Sequence, residues 1–171
     1  MPEPASRFII SYTQSHAGAD SSGIMSTHAK GHFNVTSWKE KPYKEFGDGP
    51  RLTRASVTQT FEGPIDGEGT TEYVMAHRKD GTATFVGITH VQGRIGGHEG
   101  HFVLQTIGTF DGTSARGTWT VAPGLGGGGL SELSGVGGFE APMGPEGIYA
   151  LDYNITVPSI TPQPELVAME A

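Results

Sequence analysis

The feature that most constrains this chain is an alternation of polar and apolar residues that recurs in short segments along most of its length. A period of two is typical of β-strands with one wet and one packed face, and helical periodicity is almost absent. The turn signals Gly63-Pro64, Lys79-Asp80-Gly81 and Asp111-Gly112 separate such segments. We therefore predict an all-β fold with strands at 7–13, 28–40, 52–62, 70–77, 82–92, 101–110, 115–122, 130–139 and 148–157.

The abundance of turn residues favours closure of these strands into a barrel. The 171 residues include 27 Gly and 11 Pro, while 35% are hydrophobic. About eight strands joined mostly by tight turns predict a closed antiparallel barrel, whose interior is just wide enough for side chains or one small ligand. An open sandwich of two sheets remains an alternative, because alternation does not distinguish the two.

The length suits one domain with one core. We predict three regions: an N-terminal strand and mobile leader at 1–27, the β-barrel at 28–157, and a disordered tail at 158–171 that contains three prolines.

Charge and cysteine content exclude several function classes. The net charge of −7 argues against nucleic-acid binding, which needs a basic face. With no cysteine there is neither a disulfide framework nor thiolate catalysis. The N-terminus lacks the pattern of a secretion signal, and no apolar run approaches the ~18 residues of a membrane helix. We expect a cytoplasmic protein without a membrane partner.

A series of short motifs extends over residues 28–155 in a fixed order. They are Ala29-x-Gly31-x-Phe33-x-Val35-x-x-Trp38-x-Glu40, Phe61-x-Gly63-x-Ile65-x-Gly67-x-Gly69, Phe85-Val86-Gly87, Gly100-x-Phe102-Val103-Leu104-Gln105, Gly117-x-Trp119-x-Val121, Leu133-x-Gly135 and Tyr149-x-Leu151-x-Tyr153. In order and spacing the chain resembles a bacterial family of unknown function with an allene-oxide-cyclase-like fold. The resemblance implies an eight-stranded barrel. Related barrels include allene oxide cyclase and enzymes that close rings in natural-product pathways.

Strand 28–40 carries the first candidate catalytic group. Simple alternation places Phe33 and Val35 on one face and Trp38 and Glu40 on the other. Trp38 and Glu40 lie about 7 Å apart along the strand, so an aromatic wall for ligand binding and a carboxylate for proton transfer can enter the barrel together. In the structural alternative, Trp38 fills the core and Glu40 forms an ion pair at the rim.

Further candidates lie on the later strands. Tyr149 is a candidate catalytic hydroxyl that polarises a carbonyl or epoxide oxygen, and Tyr153 and Trp119 are candidate ligand-binding walls. Glu72 and Gln105 are expected to line the lumen, because a carboxylate among small neighbours and an amide in an apolar strand can both bind a ligand. The alternatives are core packing for the aromatic residues, solvent exposure for Glu72 and a neighbouring strand as partner for Gln105.

The histidines do not have the spacing of a metal site. The segment His98-Glu99-Gly100-His101 lacks the helical arrangement of a zinc motif, so we predict no metal and no cofactor.

The leading hypothesis, which depends largely on the resemblance, is a cofactor-independent isomerase or cyclase for an apolar oxygenated or unsaturated molecule. The alternatives are a non-catalytic carrier or sensor of small hydrophobic ligands and a packed structural barrel without a cavity. We also expect a homo-oligomer.

Overall fold

The computed structural model describes residues 26–155, which form nine β-strands. They are β1 (Thr27–Glu45), β2 (Arg51–Glu62), β3 (Ile65–His77), β4 (Ala83–Ile95), β5 (His98–Phe110), β6 (Ser114–Val121), β7 (Gly127–Gly128), β8 (Leu133–Pro142) and β9 (Glu146–Ile155). Eight strands pair antiparallel with their neighbours, β6 with β8 and β9 back to β1, so the sheet closes. The short β7 pairs only with β5. The predicted all-β barrel is confirmed and the open sandwich is wrong.

The predicted strand at 7–13, the leader up to residue 25 and the tail lie outside the described residues, while Thr27, which was assigned to the leader, begins β1. Between residues 26 and 155 there is no helix that could cross a bilayer.

The β4–β5 hairpin is longer than predicted. The two strands were predicted to end at residue 92 and to begin again at residue 101, but β4 and β5 remain paired up to Ile95 and His98. Gly96 and Gly97, with φ of 60° and 79°, alone make the turn. Only glycine adopts two successive positive φ values at little cost, so two residues suffice to reverse the chain.

One end of the barrel is packed solid. Inward side chains from all the long strands meet there in one cluster of buried apolar residues. Its largest fully buried members are Phe61, Phe102, Ile65, Ile95, Leu104, Leu130 and Leu151. The larger of the two clusters of buried apolar residues therefore lies at this end.

Large interior rings lie opposite glycines on the neighbouring strand. The directly paired residues are Phe33 with Gly147, Tyr149 with Gly31, Tyr73 with Gly87, Phe85 with Gly108, and Phe139 with Gly117. In every pair, a β-carbon added to the glycine would overlap the ring. Glycine therefore gives each ring room to lie against the partner strand.

A β-bulge at Thr36 changes the inward-facing set of β1. Val35 pairs with Gln59 and Ser37 with Thr58, which leaves Thr36 without a register partner. The extra residue shifts the alternation by one, so that Trp38, opposite Val57, faces the interior together with Val35. The prediction that Trp38 and Glu40 share a face was correct, but placing that face opposite Phe33 and Val35 was wrong.

Candidate functional site

The other end of the barrel encloses a cavity of about 560 Å³. Its wall is mainly apolar and comes from most of the strands: Phe33, Val35, Val57, Tyr73, Met75, Phe85, Phe110, Phe139 and Ala141, with the β8–β9 turn at 143–145 beside it. A barrel without a cavity, one of the alternatives above, is excluded.

A carboxylate–imidazole pair stands on this wall. His77 Nε2 lies 2.9 Å from Glu40 Oε2 and 3.2 Å from Thr53 Oγ1. The side chains of Glu40 and His77 are about one fifth exposed, whereas Thr53 is buried. The β1 bulge directs Glu40 inward, and alternation along β3 places His77 on the same face as Tyr73 and Met75. The pair is thus held by two strands that are not neighbours in the sheet.

Trp38 fixes the second oxygen of the carboxylate. Its indole Nε1 donates a hydrogen bond of 3.0 Å to Glu40 Oε1. The indole is half-exposed and stacks on the ring of Tyr73 with 6.0 Å between centroids. Each Glu40 oxygen therefore has a defined partner, an indole N–H on one side and an imidazole on the other.

Tyr73 is the phenol of the cavity wall. It is buried, and burial raises the pKa of its hydroxyl to about 12, partly opposed by a hydrogen bond with Thr71. Because the neutral form needs less solvation than the phenolate, the hydroxyl keeps its proton at physiological pH.

A polar layer separates the cavity from the packed end. Gln59, which lines the cavity, donates from Nε2 to Thr71 Oγ1 at 3.4 Å, and Thr71 Oγ1 lies 2.7 Å from Thr89 Oγ1. These residues are buried, so the bonds satisfy groups that would otherwise be costly to remove from water. Of this layer only Gln59 belongs to the cavity lining, to which it adds a polar group among mainly apolar side chains.

The structure brings two predicted site residues, Trp38 and Glu40, to the cavity. Three others lie in the packed end. Tyr153 and Trp119 belong to its buried cluster, where the Trp119 indole nitrogen has no partner among residues 26–155. Both residues therefore pack in the core, which was the structural alternative to ligand binding.

Tyr149 is bound within the fold. Its hydroxyl accepts a hydrogen bond from the Ile65 amide at 2.9 Å and donates to the Glu62 carbonyl at 3.1 Å. Burial raises the pKa of this hydroxyl, against the lowering effect of the Ile65 amide. It lies outside the cavity lining, and the catalytic role predicted for it stays a prediction without support from its position.

The expected lumen placement of Glu72 and Gln105 is wrong. Glu72 is exposed between the inward residues Thr71 and Tyr73, and its Oε2 accepts a hydrogen bond from Ser56. Gln105 is exposed in the same way between Leu104 and Thr106. The two residues that flank Gln105 on the outer face of β5, Val103 and Ile107, are apolar, so this stretch of surface resembles a core in the sequence.

Exposed apolar residues continue across three neighbouring strands. Val74, Val86 and Ile107 are 43%, 51% and 69% exposed and lie opposite one another in the register of β3, β4 and β5. The homo-oligomer expected from the sequence stays a prediction.

Sequence reasoning missed His77, Thr53 and Gln59 as site residues. A signal for His77 was available, because it shares a face with Tyr73 and Met75 at a period of two. The contact between His77 and Glu40 depends on the bulge, which no local pattern marks.

Comparison with known proteins agrees with this geometry in fold. A crystal structure of a protein of unknown function from the DUF3224 family of Shewanella oneidensis MR-1 is similar, with a TM-score of 0.62 and 28% identity over 77% of this chain and 98% of that one. No curated protein matches. Residues 29–153 match the family described as "Protein of unknown function (DUF3224)". The chain therefore belongs to the DUF3224 family.

Proposed function

We propose that this barrel binds one small, largely apolar organic molecule in its cavity and acts on it as a cofactor-independent isomerase or cyclase. The observation that carries the proposal is an apolar cavity of about 560 Å³ whose wall holds a hydrogen-bonded carboxylate–imidazole pair. Ligand pockets typically measure about 300–1,000 Å³ and combine apolar walls with a few placed polar groups.

The lining suits a substrate with an apolar body and one oxygen function. The rings of Phe33, Phe85 and Phe139 offer a shape that restricts a flexible molecule to few conformers. Holding a reactive conformer lowers the barrier for an intramolecular reaction, because the entropy is lost on binding rather than in the reaction itself. The Glu40–His77 pair and the Gln59 amide supply polar partners at different heights of the cavity.

The resemblance to allene-oxide-cyclase-like barrels supports the class of reaction. That support is an analogy at the level of fold, since one fold hosts many activities. The proposal therefore depends chiefly on the cavity and its polar pair.

The binding half can be tested with unsaturated ketones, epoxides and fatty-acid-derived compounds. Binding at 100 times Kd stabilises the native state by about 2.7 kcal/mol, which raises the Tm of a chain this size by roughly 5–10 °C. Ala141→Phe places a ring in the cavity and should abolish the shift, whereas Ala150→Phe on the outer face should retain it. Equal shifts in both variants would contradict binding in the cavity.

The catalytic half is tested by turnover of the compounds that bind. Loss of substrate with the native protein, reduced in Glu40→Gln, would support an isomerase or cyclase. Binding without any product would contradict catalysis and favour the carrier or sensor.

A further inference from the structure

We propose that His77 is the general base of this site and that Glu40 is its positioning residue. The substrate is then a compound with a C–H bond made acidic by a neighbouring carbonyl group or electron-poor ring. This inference rests on the proposed function, because it needs a small molecule inside the cavity.

The hydrogen bonds of Glu40 argue against the carboxylate itself as the base. Oε1 accepts the Trp38 indole N–H at 3.0 Å, and Oε2 faces His77 Nε2 at 2.9 Å. An ionised carboxylate only accepts hydrogen bonds, so both oxygens already have donors. A base must bring a free lone pair to the proton it removes, and one lone pair on each Glu40 oxygen is already engaged.

The same contacts define the chemistry of His77. Because Glu40 Oε2 accepts, the neutral imidazole carries its proton on Nε2, and Nδ1 has the lone pair. Both hydrogen bonds of the ring, to Glu40 and Thr53, use Nε2. Nδ1 has no hydrogen-bond partner within residues 26–155, and it is not among the buried unpartnered atoms of that part of the chain. Nδ1 is therefore not sealed off from solvent, and it belongs to a residue that lines the cavity.

A carboxylate behind an imidazole assists the ring in two ways. It holds one tautomer and orientation, and it stabilises the imidazolium that forms when the ring takes a proton. The Trp38 N–H and the buried Thr53 hydroxyl restrict the pair further. This arrangement is suited to reversible proton transfer.

The step balances without a cofactor. In a β,γ-unsaturated carbonyl compound, Nδ1 takes the proton from the α-carbon, the C–H electron pair moves into the adjacent π-system, and the negative charge moves to the oxygen of the resulting dienolate. The imidazolium then returns the proton to the γ-carbon, which regenerates neutral His77. The net change is migration of a double bond, with no oxidation or reduction.

The probe for this proposal is 5-nitrobenzisoxazole, a flat and mostly apolar molecule. A base removes its ring C–H proton, the carbon–nitrogen triple bond forms and the N–O bond breaks, which opens the ring to a single coloured cyano-nitrophenolate, and the base then releases its proton to water. We expect saturable turnover by the native protein. General-base catalysis typically contributes 10²–10⁴-fold, so His77→Gln and His77→Ala should lower kcat by roughly 100-fold or more. His32→Gln, which removes an exposed histidine of β1, should leave kcat unchanged.

Two further measurements separate chemistry from structure. Added imidazole should restore turnover to His77→Ala but not raise that of Ala141→Phe, in which the cavity is filled. Glu40→Gln should lower kcat with KM unchanged, because it removes orientation of the base rather than contact with the probe. A Glu40→Gln variant that raises KM alone would overturn the positioning role.

The outcomes distinguish this inference from the proposed function. Saturable binding of the probe with kcat unaffected by both His77 substitutions would overturn the base while leaving the binding cavity intact. Equal turnover by the native protein and Ala141→Phe would overturn both. Loss of turnover in His77→Ala with recovery by imidazole would support the base even if that variant is less stable.

Discussion

Tyr149→Phe removes one hydroxyl from the packed end of the barrel and nothing else. That hydroxyl lies over Gly31 and connects β9 to the β2–β3 turn through the Ile65 amide and the Glu62 carbonyl. The phenylalanine ring keeps the contacts with Phe61 and Trp119, whose centroids lie 6.0 and 5.9 Å away. The substitution therefore measures the hydrogen bonds alone.

The expected cost is set by the amide left behind. Ile65 is fully buried, so its N–H has no access to water once the hydroxyl is gone. A buried donor without a partner costs about 1–3 kcal/mol. We expect a loss of about 2 kcal/mol in the free energy of unfolding. With a urea m-value of about 2 kcal/mol/M, the unfolding midpoint falls by about 1 M while m stays constant.

Urea unfolding followed by fluorescence measures this change. Tyr153→Phe is the matched control, because Tyr153 is equally buried but its hydroxyl has no hydrogen-bond partner in the described part of the chain. We expect that control to change stability by less than about 0.5 kcal/mol. Equal midpoints for Tyr149→Phe and the native protein would refute the reasoning. Loss of turnover without loss of stability would instead restore the catalytic role predicted for Tyr149.

Two other predictions concern the cavity wall. Burial favours the neutral form of the Tyr73 hydroxyl in the folded state. In the unfolded chain this hydroxyl loses its proton at a lower pH, so the free energy of unfolding falls as the pH rises from 10 towards about 12. The loss in the free energy of unfolding approaches about 3 kcal/mol. Urea unfolding of the native protein across this pH range should show this loss, and an equally steep fall in Tyr73→Phe would contradict the role of Tyr73. Gly147→Ala should destabilise the fold by about 1–3 kcal/mol, because the added methyl group overlaps the Phe33 ring. In a double-mutant cycle Phe33→Leu should reduce that cost, and additive effects would argue against the contact.

Much of the fold could be predicted because strands and tight turns leave local patterns in the sequence. The period-two segments and the Asp-Gly turns are sufficient to predict an all-β barrel, and the order of the short motifs is sufficient to identify the family. The end of β4 and the start of β5 were harder to predict, because Gly96 and Gly97 form the turn within a longer glycine-rich segment. Which of those glycines have positive φ depends on the pairing of the strands.

The candidate site could be predicted only in part, because it depends on which face is inside. Trp38 and Glu40 were found from their spacing, but the bulge at Thr36 that directs them inward has no sequence mark. Gln105 was misplaced because Ile107, on its face, is apolar and yet exposed. Glu40 and His77 are 37 positions apart in the sequence, and alternation along one strand carries no information about contacts between strands.

The ring–glycine pairs determine how wide the hollow is. Phe85 and Phe139 lean onto Gly108 and Gly117, and so occupy the thickness of the wall instead of the space within it. A methyl group on Gly117 would overlap the Phe139 ring and tip it towards the centre, whereas one on Gly108 would also overlap the Arg116 backbone carbonyl of β6. The width of the cavity therefore depends on position 117, which lies apart from the Glu40–His77 pair, so the size of the cavity and its polar pair are set by different residues.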